Sequence, residues 1–525
     1  MWKRIADNWL YILMLALLVP ASIINLGVLT FIDDEAIRAL VALEMDLSGN
    51  WITPTLHGAY YYNKPPLFNW LLALFFPLLD YTEFTSRFVN VLCLWGFTIT
   101  IFGLLRKETG KPQALLIALA TFTCGRILFW DAMLGLIDIC FSWVVFTNFY
   151  LIFFYARREK YWMLFLLSYA LTAVAFLLKG LPAVVFQGIT LLSYLLYQRQ
   201  WRQLFSAAHV MGGLLFLLLI GIYYFAYNQI NPLETVFKTL FTESTKRTVV
   251  RFGMGETIRH FFTFPFEMLY HFVPWSLFSF FLWRKDVLAL IRRQPLVLYF
   301  SLIFLANILI YWTSPEVYPR YLIMLVPVYF TVLFYFEGIH RENNTRLYRI
   351  FVQAFGVILF LLALVFLVPL FLERTRQTDY LVIKSAGLTV ALVGTWLGYR
   401  KPGQTSPWLY LVLFLLIFRI GFNWFVLPDR NANDFGDLCR SSSLEVGQRY
   451  RDKPLFVFKE TAMQPTNSYY LTRGRMAIIP IKTDQFSPDE LYIIDPLLYP
   501  DLDYEKVAEI KVRHGKLTYD VGYLK

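Results

Sequence analysis

The sequence predicts an all-α polytopic membrane protein of about 13 transmembrane helices with a small C-terminal α/β extracytoplasmic domain. Three observations predict it. Hydrophobic residues make up 58% of the 525 positions and aromatics 19%, at a mean hydropathy of +0.51, well outside the soluble range and not inflated by low complexity. Apolar segments of spanning length recur along the chain. Basic residues fall in every second connection between them.

The candidate spans lie at about 9–30, 83–105, 112–129, 133–155, 161–178, 181–198, 207–228, 264–283, 296–313, 320–337, 347–371, 380–399 and 407–427. A bilayer core of roughly 30 Å is crossed by a helix rising about 1.5 Å per residue. Lys3 and Arg4 precede the first span, and Arg106, Lys107, Lys111, Arg157, Arg158, Lys160, Arg199 and Arg202 occupy alternate connections after it. Arg284, Lys285, Arg292, Arg293, Arg341, Arg346, Arg400 and Lys401 continue the pattern, while the opposite connections hold few cations: Lys179 in one, Arg374 and Arg376 in another. Positive loops stay in the cytoplasm, so the N-terminus is predicted cytoplasmic. Loops 31–82 and 229–263 and the tail from Pro428 onward are then external. The net charge of +11 is mostly this topology signal and does not argue for nucleic acid.

Two domains are expected, a membrane domain over 1–427 and a soluble one over 428–525. The tail replaces long apolar runs with short alternating stretches, PLFVF, RMAIIPI, ELYIID and KLTYDVGYL, which read as strands. Cys93, Cys124 and Cys140 fall in predicted spans and Cys439 stands alone outside, so no disulfide framework is implied. The first span lacks a small-residue cleavage site and reads as retained. No internal repeat of fixed period is visible.

The loop after the first span carries the chemistry. Asp33 and Asp34 stand at the start of a predicted amphipathic helix, marked by Ile37, Leu40, Val41 and Leu47, that would lie along the membrane surface. An acidic pair on the external side points to catalysis, and an N-cap role accounts for one of the two equally well. Further on, Tyr60, Tyr61, Tyr62, Asn63, Lys64, Pro65 and Pro66 set a single lysine between tyrosines and rigid prolines. A snorkelling lysine at a helix end is the alternative.

The order Asp34-Glu35, Gly49-Asn50-Trp51-Ile52-Thr53-Pro54, Gly58, Lys64-Pro65-Pro66-Leu67 and Trp70 resembles the first external loop of GT-C membrane glycosyltransferases. The nearest likeness is to the aminoarabinose lipid A transferases and the protein O-mannosyltransferases. It continues through Asp131-Ala132-Met133-Leu134, Lys179-Gly180-Leu181-Pro182, Arg251-Phe252, His260, Pro274-Trp275, Pro319-Arg320-Tyr321 and Pro327, most of the membrane portion. The tail carries no such motif.

The resemblance implies an inverting glycosyltransferase that moves a sugar from polyprenyl (undecaprenyl) phosphate to an acceptor on the external face of a bacterial inner membrane. Lipid A, another glycolipid, a glycan and a protein are all open as acceptors. Asp34 is the implied catalytic base, with Asp33 behind it. Lys64, Arg251 and Tyr321 are the implied contacts of the donor phosphate, with Lys246 and Arg247 as substitutes for Arg251 and an interfacial role as the alternative for Tyr321. Candidate cavity or substrate contacts are Glu35, Tyr62, Asn63, Asp131, Lys179, His260 and Arg320. Asp131 and Lys179 equally fit helix-end anchors. The family's glutamate before the loop lysine is here Asn63, a poor ligand for a divalent ion, so no metal cofactor is expected. Ile37 and Leu40 stand where that family has an arginine and a glutamate, so the resemblance does not carry over that family's sugar or acceptor.

A lipid-linked-glycan flippase or exporter, and a polysaccharide polymerase, are the competing classes. The first would show more charge within spans and repeated halves. The second would lack the Asp-Glu and Lys-Pro-Pro order in its first loop.

Overall fold

A computed structural model describes residues 9–32, 34–245, 254–314, 317–401, 406–433 and 436–512, and 517–525. Helices α1 (Trp9–Ile23), α2 (Glu35–Ser48) and α3 (Leu67–Leu79) build the N-terminal corner, with a two-residue-stranded hairpin, β1 (Thr55–Leu56) and β2 (Ala59–Tyr60), between the last two. Then follow α4 (Glu83–Leu105), α5 (Lys111–Thr123), α6 (Gly125–Phe129), α7 (Asp138–Ala156), α8 (Tyr161–Lys179), α9 (Pro182–Tyr197) and α10 (Ala207–Asn228). The later part holds α11 (Glu234–Thr245), α12 (Met254–His271), α13 (Val287–Arg293), α14 (Pro295–Trp312), α15 (Val326–Glu342), α16 (Arg346–Ala363), α17 (Leu381–Arg400) and α18 (Pro407–Asn433).

Among the described residues, nine helical segments are long and apolar enough to cross a membrane, and α5 and α6, bent by 46°, make a tenth if taken as one span. The protein is therefore a multi-pass membrane protein. The expected spans at 83–105, 161–178, 207–228, 296–313 and 380–399 coincide with α4, α8, α10, α14 and α17 within a residue or two. The expected span at 264–283 is not one helix. Helix α12 ends at His271 and a 3-10 segment, Trp275–Leu282, follows Pro274, whose ring removes the donor a continuing helix needs. The last span runs on to Asn433.

Helix α2 forms where expected, in a more enclosed setting than its sequence suggests. It is amphipathic in sequence, yet Ala36, Arg38, Ala39, Leu40, Val41, Ala42, Leu43, Glu44 and Met45 are all buried, so its apolar face is enclosed by protein and not presented to lipid. It is packed between α3 and a helix of the C-terminal region, α20, introduced below.

That C-terminal region contains α19 (Gly436–Arg449), β3 (Leu455–Phe458), α20 (Pro465–Arg475), β4 (Ile481–Lys482), β5 (Leu491–Ile494), β6 (Tyr504–Lys511) and β7 (Thr518–Leu524). The strands form one mixed sheet in the order β4-β3-β5-β7-β6, parallel at β4-β3-β5 and antiparallel at β5-β7-β6. Strand β6 was not expected from the sequence, whereas β3, β5 and β7 were. Its core is Leu455, Val457, Leu471, Leu491, Ile493 and Val521, the inward positions of alternating strands and one helix face. Helices α19 and α20 approach so closely that a Cβ on Gly447 would lie 2.5 Å from the Leu471 carbonyl oxygen.

The region is bolted to the first loop. Tyr470 Oη donates to Glu83 at 2.5 Å and accepts from the Phe31 amide at 3.3 Å, and Arg440 pairs with Glu83 at 2.8 Å. His57, at the hairpin turn, places Nδ1 3.1 Å from the Ile479 carbonyl oxygen and Nε2 3.0 Å from Ser468 Oγ. Beneath it the buried Glu44 accepts from Thr55 Oγ1 and from the amides of His57 and Gly58.

Candidate active site

Asp34 occupies the N-cap position of α2, but its side chain accepts no capping hydrogen bond. Its carboxylate is instead more than half exposed and stands 3.6 Å from the Arg320 guanidinium. Arg320 is itself almost fully buried, and its Nε lies 3.7 Å from Asp138, the first residue of α7. Asp138 pairs closely with Lys179 at the end of α8, and the Lys179 ammonium sits 4.1 Å over the Tyr321 ring. The guanidinium of Arg320 lies 4.5 Å over the ring of Tyr318. Four chain segments thus converge on one alternating chain of charge: Asp34, Arg320, Asp138, Lys179.

The backbone behind Asp34 is held rigidly. Glu35 is fully buried and pairs with Arg87 of α4 at 2.9 Å, while also accepting from the amides of Ile32 and Gly135 at 2.8 Å each. Arg87 spends its remaining donors on the carbonyl oxygens of Leu26, Leu29 and Thr30. Every strong partner this pair requires is present, the condition under which a buried ion pair is tolerable. Glu35, expected as a candidate cavity contact, is therefore placed as a buried brace, because its carboxylate is saturated by protein donors.

Lys64 lies in a narrow cavity with Tyr61, Tyr62, Tyr223, Tyr224 and Tyr227. The segment before it is shaped by Asn50, whose Oδ1 accepts from the amides of Ile52 and Thr53, and by the Tyr61 amide donating to Pro54 at 2.8 Å. Tyr223 of α10 donates to the Ile52 carbonyl oxygen at 3.0 Å and fixes the loop to the helix bundle. Leu240 lines the same cavity and lies 3.6 Å from a Cβ built on Gly180, the residue after Lys179. Through Leu240 the Lys64 cavity borders the residue that follows Lys179.

Residues 63–225 match the family model described as dolichyl-phosphate-mannose-protein mannosyltransferase. An uncharacterised protein of Aquifex aeolicus is 28% identical over 299 residues, 55% of this chain and 58% of that one. The undecaprenyl phosphate-alpha-4-amino-4-deoxy-L-arabinose arabinosyl transferase of Shewanella sediminis is 27% identical over 199 residues, 35% of this chain and 36% of that one. Both matches cover less than two thirds of the relative's length. Among solved structures, ArnT from Cupriavidus metallidurans bound to undecaprenyl phosphate superposes with a TM-score of 0.70 at 17% identity, covering 98% of both chains. This chain has the GT-C fold.

On that GT-C scaffold the structure brings together Asp34, Lys179, Arg320 and Tyr321 directly, and sets Lys64 and Tyr62 in the tyrosine-lined cavity. Asn63 is exposed beside it. Asp131 is buried on an ion pair with Arg126 at 3.0 Å, and its carbonyl oxygen accepts from Asn90. His260 is buried on α12 against Phe264, 3.8 Å from Glu267. Asp33, Arg251, Lys246 and Arg247 lie outside the described residues.

The sequence reading missed Asp138. It sits inside the expected span at 133–155, where a hydropathy window absorbs one acid, although an ionisable residue within an apolar span is itself a functional signal. Among the described residues, no three His, Cys, Asp or Glu side chains group as metal ligands.

The arrangement offers an exposed carboxylate at one end, a buried guanidinium beside it, and the Lys179 ammonium further along the same chain through Asp138. At 3.6 Å the Asp34–Arg320 contact is an ion pair without a direct hydrogen bond, so the carboxylate keeps its lone pairs for an incoming donor.

Proposed function

We propose that this GT-C protein is an inverting glycosyltransferase that takes a sugar from a polyprenyl phosphate donor and places it on an acceptor hydroxyl at the external face of the membrane. The observation that carries this reading is the uncapped, exposed Asp34 carboxylate beside the Arg320–Asp138–Lys179 charge chain, with the tyrosine-lined Lys64 cavity on the same loop. The activities for which the matched family and the Shewanella relative are named point the same way.

In the reaction, the acceptor oxygen attacks the anomeric carbon and forms the new C–O bond. The bond from that carbon to the phosphate oxygen breaks, and its electron pair leaves with the lipid phosphate. Asp34 receives the proton of the acceptor hydroxyl. Transfer of that proton lags until the oxygen is acidified in the transition state, so a carboxylate is a strong enough base. The leaving phosphate gains negative charge as the bond breaks, and fixed cations favour that state over the ground state. Lys64 is assigned to this phosphate, with Tyr321 donating to it. Arg251 is assigned to it by the resemblance of its segment. Lys179 and Arg320 hold Asp34 and Asp138 in register.

The N-terminus is assigned to the cytoplasm and the C-terminal region to the periplasm, on the alternation of basic connections. Nucleotide sugars are charged and cytoplasmic, whereas a polyprenyl-linked sugar can present its head group outside while its tail stays in lipid. No metal is assigned, because an amide at Asn63 is a poor divalent ligand. Chelator treatment followed by dialysis is expected to leave the rate unchanged. Activity lost to the chelator and restored by a divalent ion would overturn that assignment.

The function is tested by reconstituting the purified protein in bilayers with a panel of polyprenyl phosphate sugars and a lipid extract. Release of free polyprenyl phosphate, dependent on the extract, is the expected result. ATP-independent movement of intact donor between leaflets, without release, would make the protein a flippase.

A further inference from the structure

We infer that Arg38 and Tyr61 form an oxyanion-binding pair of the donor site, with Tyr61 contacting the anion and Arg38 charging it from behind; the inference rests on the transfer reading above. Arg38 stands one helical turn after Asp34 on α2, its amide donating to the Asp34 carbonyl oxygen at 3.2 Å. It is 4% exposed, yet no acid pairs with it among the described residues. Its Nη2 donates to the Tyr61 hydroxyl oxygen, and its guanidinium carbon lies 5.2 Å from the Tyr61 ring centroid. Its Nη1 is buried with no hydrogen-bond partner at all.

A buried guanidinium without a counter-ion is costly, and proteins normally pair it. Arg87, the other fully enclosed arginine of this corner, has a carboxylate and three carbonyl oxygens. Arg38 has one phenol. That phenol lines the cavity that also holds Lys64. Because Tyr61 Oη accepts from a cation, its own O–H remains to donate, and a hydroxyl polarised in this way is a stronger donor than an isolated one. Facing a cavity with an ammonium in it, the donor suits an oxyanion: the donor's phosphate, or a carboxylate on its sugar. Sequence position alone hides this, since an arginine in an amphipathic helix reads as a solvated face.

Affinity for undecaprenyl phosphate, measured on the full chain in detergent by calorimetry, tests the pair. Arg38→Gln is expected to weaken binding by at least about tenfold, and Arg38→Lys by no more than about threefold, as expected for loss and retention of a charge-assisted donor. A second arm compares polyprenyl phosphates carrying a hexuronic acid and the matching neutral hexose. Undiminished affinity for undecaprenyl phosphate in Arg38→Gln, with loss of a wild-type preference for the uronate, assigns the pair to a sugar carboxylate. Unchanged affinity and unchanged preference overturn the inference. If Arg38→Gln does not fold, Arg38→Lys is compared with wild type at pH 7 and pH 9.5. A buried ammonium that loses its proton must lower the affinity relative to wild type at the higher pH, and a constant ratio overturns the inference. Lys64→Ala is the control: if wild type itself fails to bind undecaprenyl phosphate, the transfer reading fails, whereas binding sensitive to Lys64 and insensitive to Arg38 removes only the pair.

Discussion

The Asp34 carboxylate lies 3.6 Å from the Arg320 guanidinium, and the same guanidinium is shared with Asp138 at 3.7 Å. One buried cation therefore serves two acids, one of them more than half exposed. The exposed acid is the one whose proton-accepting oxygens a substrate can reach.

Asp34→Asn keeps the size of the side chain and removes its basicity. Transfer is expected to fall by about 10²–10⁴-fold, the usual worth of a general base. Donor binding should stay near wild type, because the amide still fills the N-cap position and the brace behind it is untouched. Steady-state rates and donor affinity measured together check this.

Lys64→Ala removes the cation of the tyrosine-lined cavity. Both donor affinity and turnover are expected to fall, with turnover losing about 10²–10³-fold if the ammonium meets the charge that develops on the leaving phosphate. A loss confined to affinity would mean that Lys64 holds the ground state only.

Glu35→Ala leaves the Arg87 charge buried and unpaired. The expected cost is roughly 3–5 kcal/mol, the range for breaking a buried pair from one side. Thermal unfolding in detergent should show it, and activity should fall with folded protein only in proportion. A double change, Glu35→Leu with Arg87→Met, should recover much of the stability.

The hairpin and the C-terminal region are joined by a histidine whose protonation is unfavourable. Burial pushes the His57 imidazole down from its ordinary value, against the opposing pull of the Ile479 carbonyl and the Glu44 carboxylate. A lowered value means that the unfolded or undocked state binds the proton better. The stabilisation is then fully present above the ordinary value of 6.5 and is lost as pH falls through the lower folded value. Hydrogen exchange of α20, corrected for intrinsic chemistry, should accelerate below pH 6.5 relative to the sheet strands. Equal protection at all pH values would mean that His57 does not hold the dock.

Hydropathy made the bundle legible, because span length is fixed by bilayer thickness and α4, α10 and α14 follow it closely. The first loop was legible in part: Asp34 and Lys64 stand out as charges among apolar and rigid neighbours. What pairs with them was not. Arg320 and Asp138 reach Asp34 only through the packing of helices far apart in sequence, and Glu35 looks like a second acid until Arg87 is seen against it. The burial of α2 was hidden for the same reason, since it packs against α20 of the C-terminal region, whose own sequence gives no sign of where it docks.

The most direct measurement is mass spectrometry of polyprenyl phosphate sugars in membranes of cells carrying wild type or Asp34→Asn at equal abundance. One lipid-phosphate monosaccharide accumulating in the variant is the predicted result, and its mass names the sugar class. Identical lipid profiles in cells where the variant retains full function would make Asp34 a structural residue and contradict the account.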